Sequence, residues 1–440
     1  MEKEFLSAGI LLSLIIAALL MAGCTGTGVS SAPSPGETAV ITPSPSPDAT
    51  GMSGDAGSVA GANNQFAFDL YPALAALPET TNRNLFYSPF SLSTALAITS
   101  EGANGKTADE ILSVLHLPKD PAVRHAGFAG LNARINNTSA DYTLRTANAL
   151  WAEKTYVFLP SFTGTARQYY SAETTNLDFA AAPEESRSTI NQWVLEKTGR
   201  KIRDLLPQGS ITPLSRLVIT NAIYFKGTWA RQFDANLTRD EDFTTSTGTI
   251  TKVRMMQDRG EDAEYRYAET ADLQYIELPY FQNTGKSLSM VVLLPKGNDL
   301  SPAEDALSED KLSSLKESAQ HRKVEVYFPK FRVETGYKLA QSLSAMGMPT
   351  AFIPGSADFS GMDGTHELFI SNVFHKAYID VNEEGTEAAA ATAVVMQLRG
   401  APPGDKTPIF RADHPFIFLI RDNESGAILF LGRVSDPAAG

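Results

Sequence analysis

The 440-residue chain is predicted to fold as a mixed α+β body. Three observations carry that expectation. Apolar residues recur at helical spacing early in the chain, short apolar strand runs dominate the later part, and no repeat of 20–50 residues is visible. Composition agrees, with 43% hydrophobic and 20% charged residues in an ordinary globular mixture. The length allows one large domain or two to three smaller ones, and no point in the pattern divides the body.

The elements follow in chain order. Residues Ala8 to Met21 are continuously apolar but shorter than the roughly 20 residues a membrane span needs. They fit the apolar region of a signal peptide, and Met21-Ala22-Gly23 before Cys24 resembles a bacterial-type lipobox, in which the cysteine is lipidated. Residues 25–62 hold 24 Ser, Thr, Pro or Gly among 38, too little apolar surface to offset ordering entropy. The expected layout is therefore a lipoprotein-type signal peptide over 1–23, a disordered tether over 24–62 and one domain over 63–437. Its expected location is the extracellular face of the membrane, lipid-anchored, or secreted.

Within the body, Phe66, Leu70, Leu74 and Leu77 share one helical face after the capping candidates Asn63 and Asn64. Pro72 should kink or shorten that helix. Further helices are expected over Ser91 to Ile98, Thr107 to Leu115 and residues 184–198. Strands are expected over Leu217 to Phe225, Tyr275 to Leu278, Leu288 to Leu294, Val324 to Phe328, Phe369 to Val381, Phe416 to Ile420 and Ile428 to Leu431.

Several functions are disfavoured at once. Fifty acidic against 37 basic side chains leave a net charge of −13, which argues against a nucleic-acid-binding body. A single cysteine excludes a disulfide framework, a multi-Cys zinc site and an iron–sulfur cluster. The six histidines (116, 125, 321, 366, 375 and 414) form no H-E-x-x-H face, and no G-x-S-x-G elbow is present. No metal, cofactor or catalytic residue is expected, and the chain is not expected to be an enzyme.

Residues 382–407 are the anomaly. Their alanine tract favours helix while its β-branched ends suit a strand. As a strand, one face would carry Thr386, Ala388, Ala390, Thr392, Val394 and Met396, all uncharged. The other would run from Glu387 to Gln397. The residues alone leave two readings open: a low-complexity surface loop, or a loop with a second home as a strand.

That segment resembles the reactive loop of the serpins, the serine-protease inhibitor superfamily. Asn84-Leu-Phe-Tyr-Ser-Pro-Phe-Ser91, Gly102-Ala-Asn-Gly-Lys-Thr-Ala-Asp-Glu-Ile111 and Ile190-Asn-Gln-Trp-Val194 are similar to family stretches. So are Lys197-Thr-Gly-Arg-Lys-Ile-Arg-Asp-Leu-Leu-Pro207 and Asn221-Ala-Ile-Tyr-Phe-Lys-Gly-Thr-Trp229. Ala357-Asp-Phe-Ser-Gly-Met362, His375-Lys-Ala and His414-Pro-Phe-Ile-Phe418 complete a set in family order over about residues 63–436.

The resemblance implies a metastable fold of three sheets and eight to nine helices, with an exposed loop over about 383–407 as bait for a serine protease. The protease would form an acyl-enzyme, and the cut loop would insert into the central sheet and trap it. The family's spacing from Glu383 places the reactive bond at Arg399-Gly400, which suits a trypsin-like target. Leu398 is the alternative and would point to chymotrypsin-like, subtilisin-like or cysteine proteases. The hinge comprises Glu383, Gly385, Thr386, Glu387, Ala388, Ala389, Ala390, Ala391 and Thr392. Ser88, Ser91, Asn221 and His375 match the polar cluster beneath the opening sheet, and Trp229 matches the residue at its top. The implied partner is a target protease, bound covalently by a monomer. A serpin body that serves only as substrate or binding protein is the competing reading. Residues 122–138, basic only at Arg124 and Arg134, do not resemble a polyanion-binding helix.

Overall fold

A computed structural model describes residues 49–135, 142–283, 287–386 and 406–439. The apolar stretch 8–21, Cys24, the hinge from Glu387 to Thr392, and Leu398, Arg399 and Gly400 lie outside the described residues. Among the described residues, no helix is long and apolar enough to cross a membrane.

Six helices form most of the first half: α1 (Ala49–Ala75), α2 (Pro89–Glu101), α3 (Gly105–Val114), α4 (Pro121–Ile135), α5 (Pro160–Tyr170) and α6 (Pro183–Lys197). Four shorter helices follow between residues 301 and 363. Ten α-helices among the described residues exceed the expected eight or nine because three of them are single turns or little more, of five, seven and four residues.

Helix α1 corrects the expected boundary of the folded body. It is already helical at Ala49 rather than beginning near Asn63, with Val59 and Ala60 buried. Gly127 of α4 lets the two helices approach, since a Cβ there would fall 2.3 Å from the Val59 side chain. Tertiary packing thus fixes a helix in a stretch whose Gly and Ser content reads as tether. Asn63 and Asn64 are consequently not caps. They sit inside the helix, where Asn63 donates to the Ile428 carbonyl at 2.9 Å and Asn64 to the Gly426 carbonyl at 3.0 Å. Pro72 occupies the last turn, and the helix runs only three residues beyond it, to Ala75.

The strands form three sheets. An antiparallel seven-stranded sheet runs β1 (Leu85–Tyr87), β17 (Ile428–Val434), β16 (Phe416–Asp422), β9 (Leu288–Pro295), β8 (Leu273–Pro279), β7 (Glu264–Glu269), β10 (Gln320–Lys323). A four-stranded sheet runs β15 (Ile409–Arg411), β11 (Glu325–Pro329), β6 (Ile250–Asp258), β5 (Arg239–Thr244). The six-stranded sheet that positions the site runs β12 (Phe331–Lys338), β13 (Ile370–Asn382), β14 (Gly385–Thr386), β4 (Leu217–Thr228), β2 (Tyr142–Glu153), β3 (Glu173–Leu177).

Its two faces are covered differently. Helix α6 lies over one face, where Ile190 and Val194 join Trp151, Val218, Ala222 and Phe374 in a small apolar cluster. The other face joins the main core, which includes Ile219, Ile223, Phe225 and the aromatics Phe86, Phe418 and Phe430.

Candidate functional site

The site is a seam in the six-stranded sheet. Strands β13 and β4 pair in parallel from Ile370↔Leu217 to Tyr378↔Tyr224, then separate. In the opening the chain turns back after Asn382. Gly385 and Thr386 form β14, antiparallel to both neighbours: Thr386 faces Val381 on β13 and Gly227 on β4, and Gly385 faces Asn382 and Thr228. Parallel strands joined by a crossover can pair directly, but a hairpin return must be antiparallel, so the wedge is dictated by the short turn at Glu383-Glu384.

Gly385 is required at its position. Its φ is +153°, and a Cβ would fall 2.1 Å from the Gly227 carbonyl oxygen. Gly227 is matched to it, because a Cβ there would fall 2.8 Å from Phe225 and 2.9 Å from Tyr280. The chain crosses itself at two glycines.

Side chains hold the wedge in place. Thr386 is fully buried, with its hydroxyl 2.8 Å from that of Tyr280. Burial pushes the Tyr280 phenol well up, so it stays a neutral partner. Trp229 stacks on Tyr280 with ring centroids 4.6 Å apart, and its indole N–H donates to the Asn382 carbonyl at 3.0 Å. The backbone N–H of Trp229 donates to Glu384 and that of Phe233 to Glu383, so the turn is stapled from β4. The Glu383 carboxylate accepts from Lys330 at 2.7 Å and Thr238 at 2.9 Å. Burial alone would raise its pKa, but these hydrogen bonds outweigh it and hold the group below the usual carboxylate range.

Further down the seam lies a buried polar cluster. Ser88 caps α2 by accepting from the Ser91 N–H at 3.1 Å, and its hydroxyl donates to the Leu429 carbonyl at 2.6 Å. The Ser88 N–H donates to His375 Nε2 at 3.1 Å. That leaves Nδ1 as the protonated nitrogen, and it donates to Asn221 Oδ1. Burial holds the imidazole neutral and drives its pKa down to about 3. Asn221 Nδ2 donates to Ser91 Oγ and Asn148 Oδ1, and Ser91 Oγ donates to Asn148 Oδ1 at 3.0 Å. The cluster therefore ties α2 to β13, β4 and β2 without any charge, and His375 and Asn221 are direct partners across the seam.

Sequence reasoning placed Ser88, Ser91, Asn221, His375, Trp229, Glu383, Gly385 and Thr386 among the site residues. The fold brings the first four together in the lower cluster and the last four together at the wedge. It missed Asn148, Tyr280, Gly227 and Lys330. Asn148 left a usable signal, an amide inside the apolar strand run Ala147-Asn-Ala-Leu-Trp151. Lys330 and Tyr280 left none, because both act at strand ends where a polar residue is ordinary.

Comparison with known proteins agrees with this geometry. The family model described as Serpin (serine protease inhibitor) matches residues 61–437. An uncharacterized serpin-like protein of Thermococcus kodakarensis is 44% identical over 87% of this chain and 86% of its own length. The leukocyte elastase inhibitor of Bos taurus is 43% identical over 86% of this chain and 98% of its own. Among solved structures, uncleaved ovalbumin matches with a TM-score of 0.77 and 29% identity, over 86% of this chain and all of that one. Serpin48 of Tenebrio molitor matches with a TM-score of 0.75 and 32% identity, over 86% and 98%.

Proposed function

The chain belongs to the serpin family, and from that premise we propose that it is a protease inhibitor that traps its target by inserting its cleaved loop at the seam between β13 and β4. The reading names a trypsin-like target, a reactive bond at Arg399-Gly400 and a covalent acyl-enzyme complex. It also includes attachment through lipidated Cys24 at the outer face of a membrane, and a chain that acts as a monomer without cofactor and is not itself an enzyme.

The observation that carries the reading is the register at the wedge. Extending the β14 pairing with β13 sets residue 392 opposite His375, and extending its pairing with β4 sets residue 392 opposite Asn221. His375 and Asn221 are themselves partners in the parallel ladder. Both edges of the seam therefore accept the same incoming strand in one register, down to the polar cluster. Thr386 points into the core, so Ala388, Ala390 and Thr392 would follow it on the buried face. These are small side chains, and Thr392 would bring a hydroxyl to the one polar position.

The energetics favour such a step. One parallel contact would be exchanged for two antiparallel ones, adding on the order of ten ladder hydrogen bonds at about 1 kcal/mol net each. That is comparable to the stability of a whole domain. Incubation with a panel of serine proteases, followed by denaturing gels and mapping of the cut site, tests the reading. The expected result is a covalent, SDS-resistant complex with a trypsin-like member, cut after Arg399. Clean cleavage with full retention of protease activity overturns it.

A further inference from the structure

The outward face of the six-stranded sheet beside the wedge is strongly basic in a chain of net charge −13. Asn221 points to α2, so the even-numbered residues of β4 point the other way, and Tyr224 and Lys226 lie on the outward face. Arg145 sits opposite Tyr224 on β2. On the far side of the seam Arg332 pairs with Asp380 at 2.8 Å, and Lys376 pairs with Glu334 at 2.7 Å.

A strap completes the face. After α6, residues Gly199–Arg203 cross the strands from β2 to β13. Gly199 lies against the Arg145 guanidinium, Lys201 sits over the Tyr224 ring at 5.7 Å, and the Arg203 carbonyl accepts from Lys376 at 2.7 Å. The strap adds Arg200, Lys201 and Arg203, all exposed, against the single carboxylate of Asp204. Glu334 and Asp380 are already engaged, and among the described residues Arg145, Arg200, Arg203 and Lys226 have no ion pair. The face is about four strands wide, roughly 15–20 Å.

Its position gives it a partner. Lys226 adjoins Gly227, and Asp380 adjoins Val381, the two residues that flank Thr386. Lys226 thus borders the root of the loop that a protease must seize, and Arg145 lies three residues along β2 from Tyr142, the partner of Gly227. We propose that this face is an electrostatic docking surface for the target protease, and that it selects proteases whose surface around the active site is acidic. The inference rests on the inhibitory reading above and adds to it a second determinant of specificity, independent of the side chain at the reactive bond. Uncancelled cations at the mouth of an encounter raise association rates by about ten-fold or more at low salt, and screening removes the effect beyond about 10 Å at 0.1 M.

Anionic and cationic trypsins share a specificity pocket and differ in surface charge, so they separate this determinant from the loop. Association rate constants for the full chain are measured with both, at about 20 mM and about 300 mM salt. The expected result is about ten-fold faster association with anionic trypsin at low salt, lost at high salt. The double variant Arg145→Glu with Lys226→Glu is expected to remove the preference while leaving the covalent product intact. Arg203→Glu, a single exposed strap position, repeats the test if the double variant melts early. Equal rates with both trypsins at low salt, or a preference unchanged in both variants, overturns the docking surface and leaves the inhibitory reading standing. Absence of a covalent complex with either trypsin overturns both.

Discussion

Replacing Thr386 with arginine should convert the protein from inhibitor to substrate. Thr386 is the first residue of the wedge with a side chain, fully buried, and its hydroxyl bonds Tyr280. Arginine loses that bond, about 1 kcal/mol, and leaves a buried phenol unsatisfied at about 1–3 kcal/mol. Seating an unpaired guanidinium there costs several kcal/mol more. The hinge would therefore stay out of the sheet, and insertion of the cut loop would have to start without its first contact. Each 1.4 kcal/mol added to the insertion barrier slows it about ten-fold, so a penalty of about 3–4 kcal/mol slows it some hundred-fold or more. Hydrolysis of the acyl-enzyme is untouched and wins the competition. Titration of trypsin with wild type and Thr386→Arg, read by residual activity and by gel, measures the partition. The variant should be cut with little complex formed. If it inhibits as fast and with the same stoichiometry as wild type, the insertion argument is wrong.

Three further outcomes are expected. Cys24→Ser should release the protein from the membrane fraction of cells that express it, and unchanged partitioning rejects lipid attachment. His375 is held neutral to about pH 3, while an unfolded histidine titrates near 6.5. The unfolded chain then takes up a proton that the fold refuses, so its contribution to stability is complete above about pH 6.5 and is lost progressively as pH falls toward 3. The loss approaches about 5 kcal/mol, and His375→Gln should flatten the slope of unfolding free energy over that range; identical slopes refute the assignment. Nicking the bond after Arg399 should raise the melting temperature by tens of degrees, since about ten kcal/mol is released and each kcal/mol is worth about 2–4 °C in a body of this size. An unaltered melting temperature refutes stored tension.

Much of the fold is legible in the sequence, and the exceptions have physical causes. The apolar runs at Leu217, Leu288, Phe416 and Ile428 mark strands buried at nearly every position, where hydrophobicity alone decides, and the run at Ile370 marks one that alternates buried and half-buried residues. Strand β5, Arg-Asp-Glu-Asp-Phe-Thr, buries only Phe243, and β3 buries none of its residues fully, so neither carries a usable pattern. Helix α1 before Asn63 is written in Gly, Ser and Ala and is decided by its contact with α4, which no local window contains. At the site, Gly385 and Thr386 are legible through the alanine tract that follows them. Tyr280 and Gly227 are not, because their roles exist only where β14, far from both in sequence, comes to lie against them.

On the proposed mechanism, the seam also gives a reason why tension would be stored in this sheet rather than elsewhere. The seven-stranded sheet is antiparallel throughout, so each of its interior strands is already satisfied on both sides by the stronger pairing. In the six-stranded sheet, β4 meets an antiparallel partner at β2 but a parallel one at β13. The other parallel pair, β2 with β3, lies at an edge where a new strand could join without separating anything. Among the described residues, only the β13–β4 contact is both interior and parallel, so it alone gains on each side when a hairpin return enters between its strands. The neutral polar cluster beneath it serves the same end. A charged pair at His375 and Asn221 would hold the strands together by several kcal/mol when broken, whereas exchange of one neutral hydrogen bond for another is nearly free. A seam built to open must be closed by bonds that can be replaced.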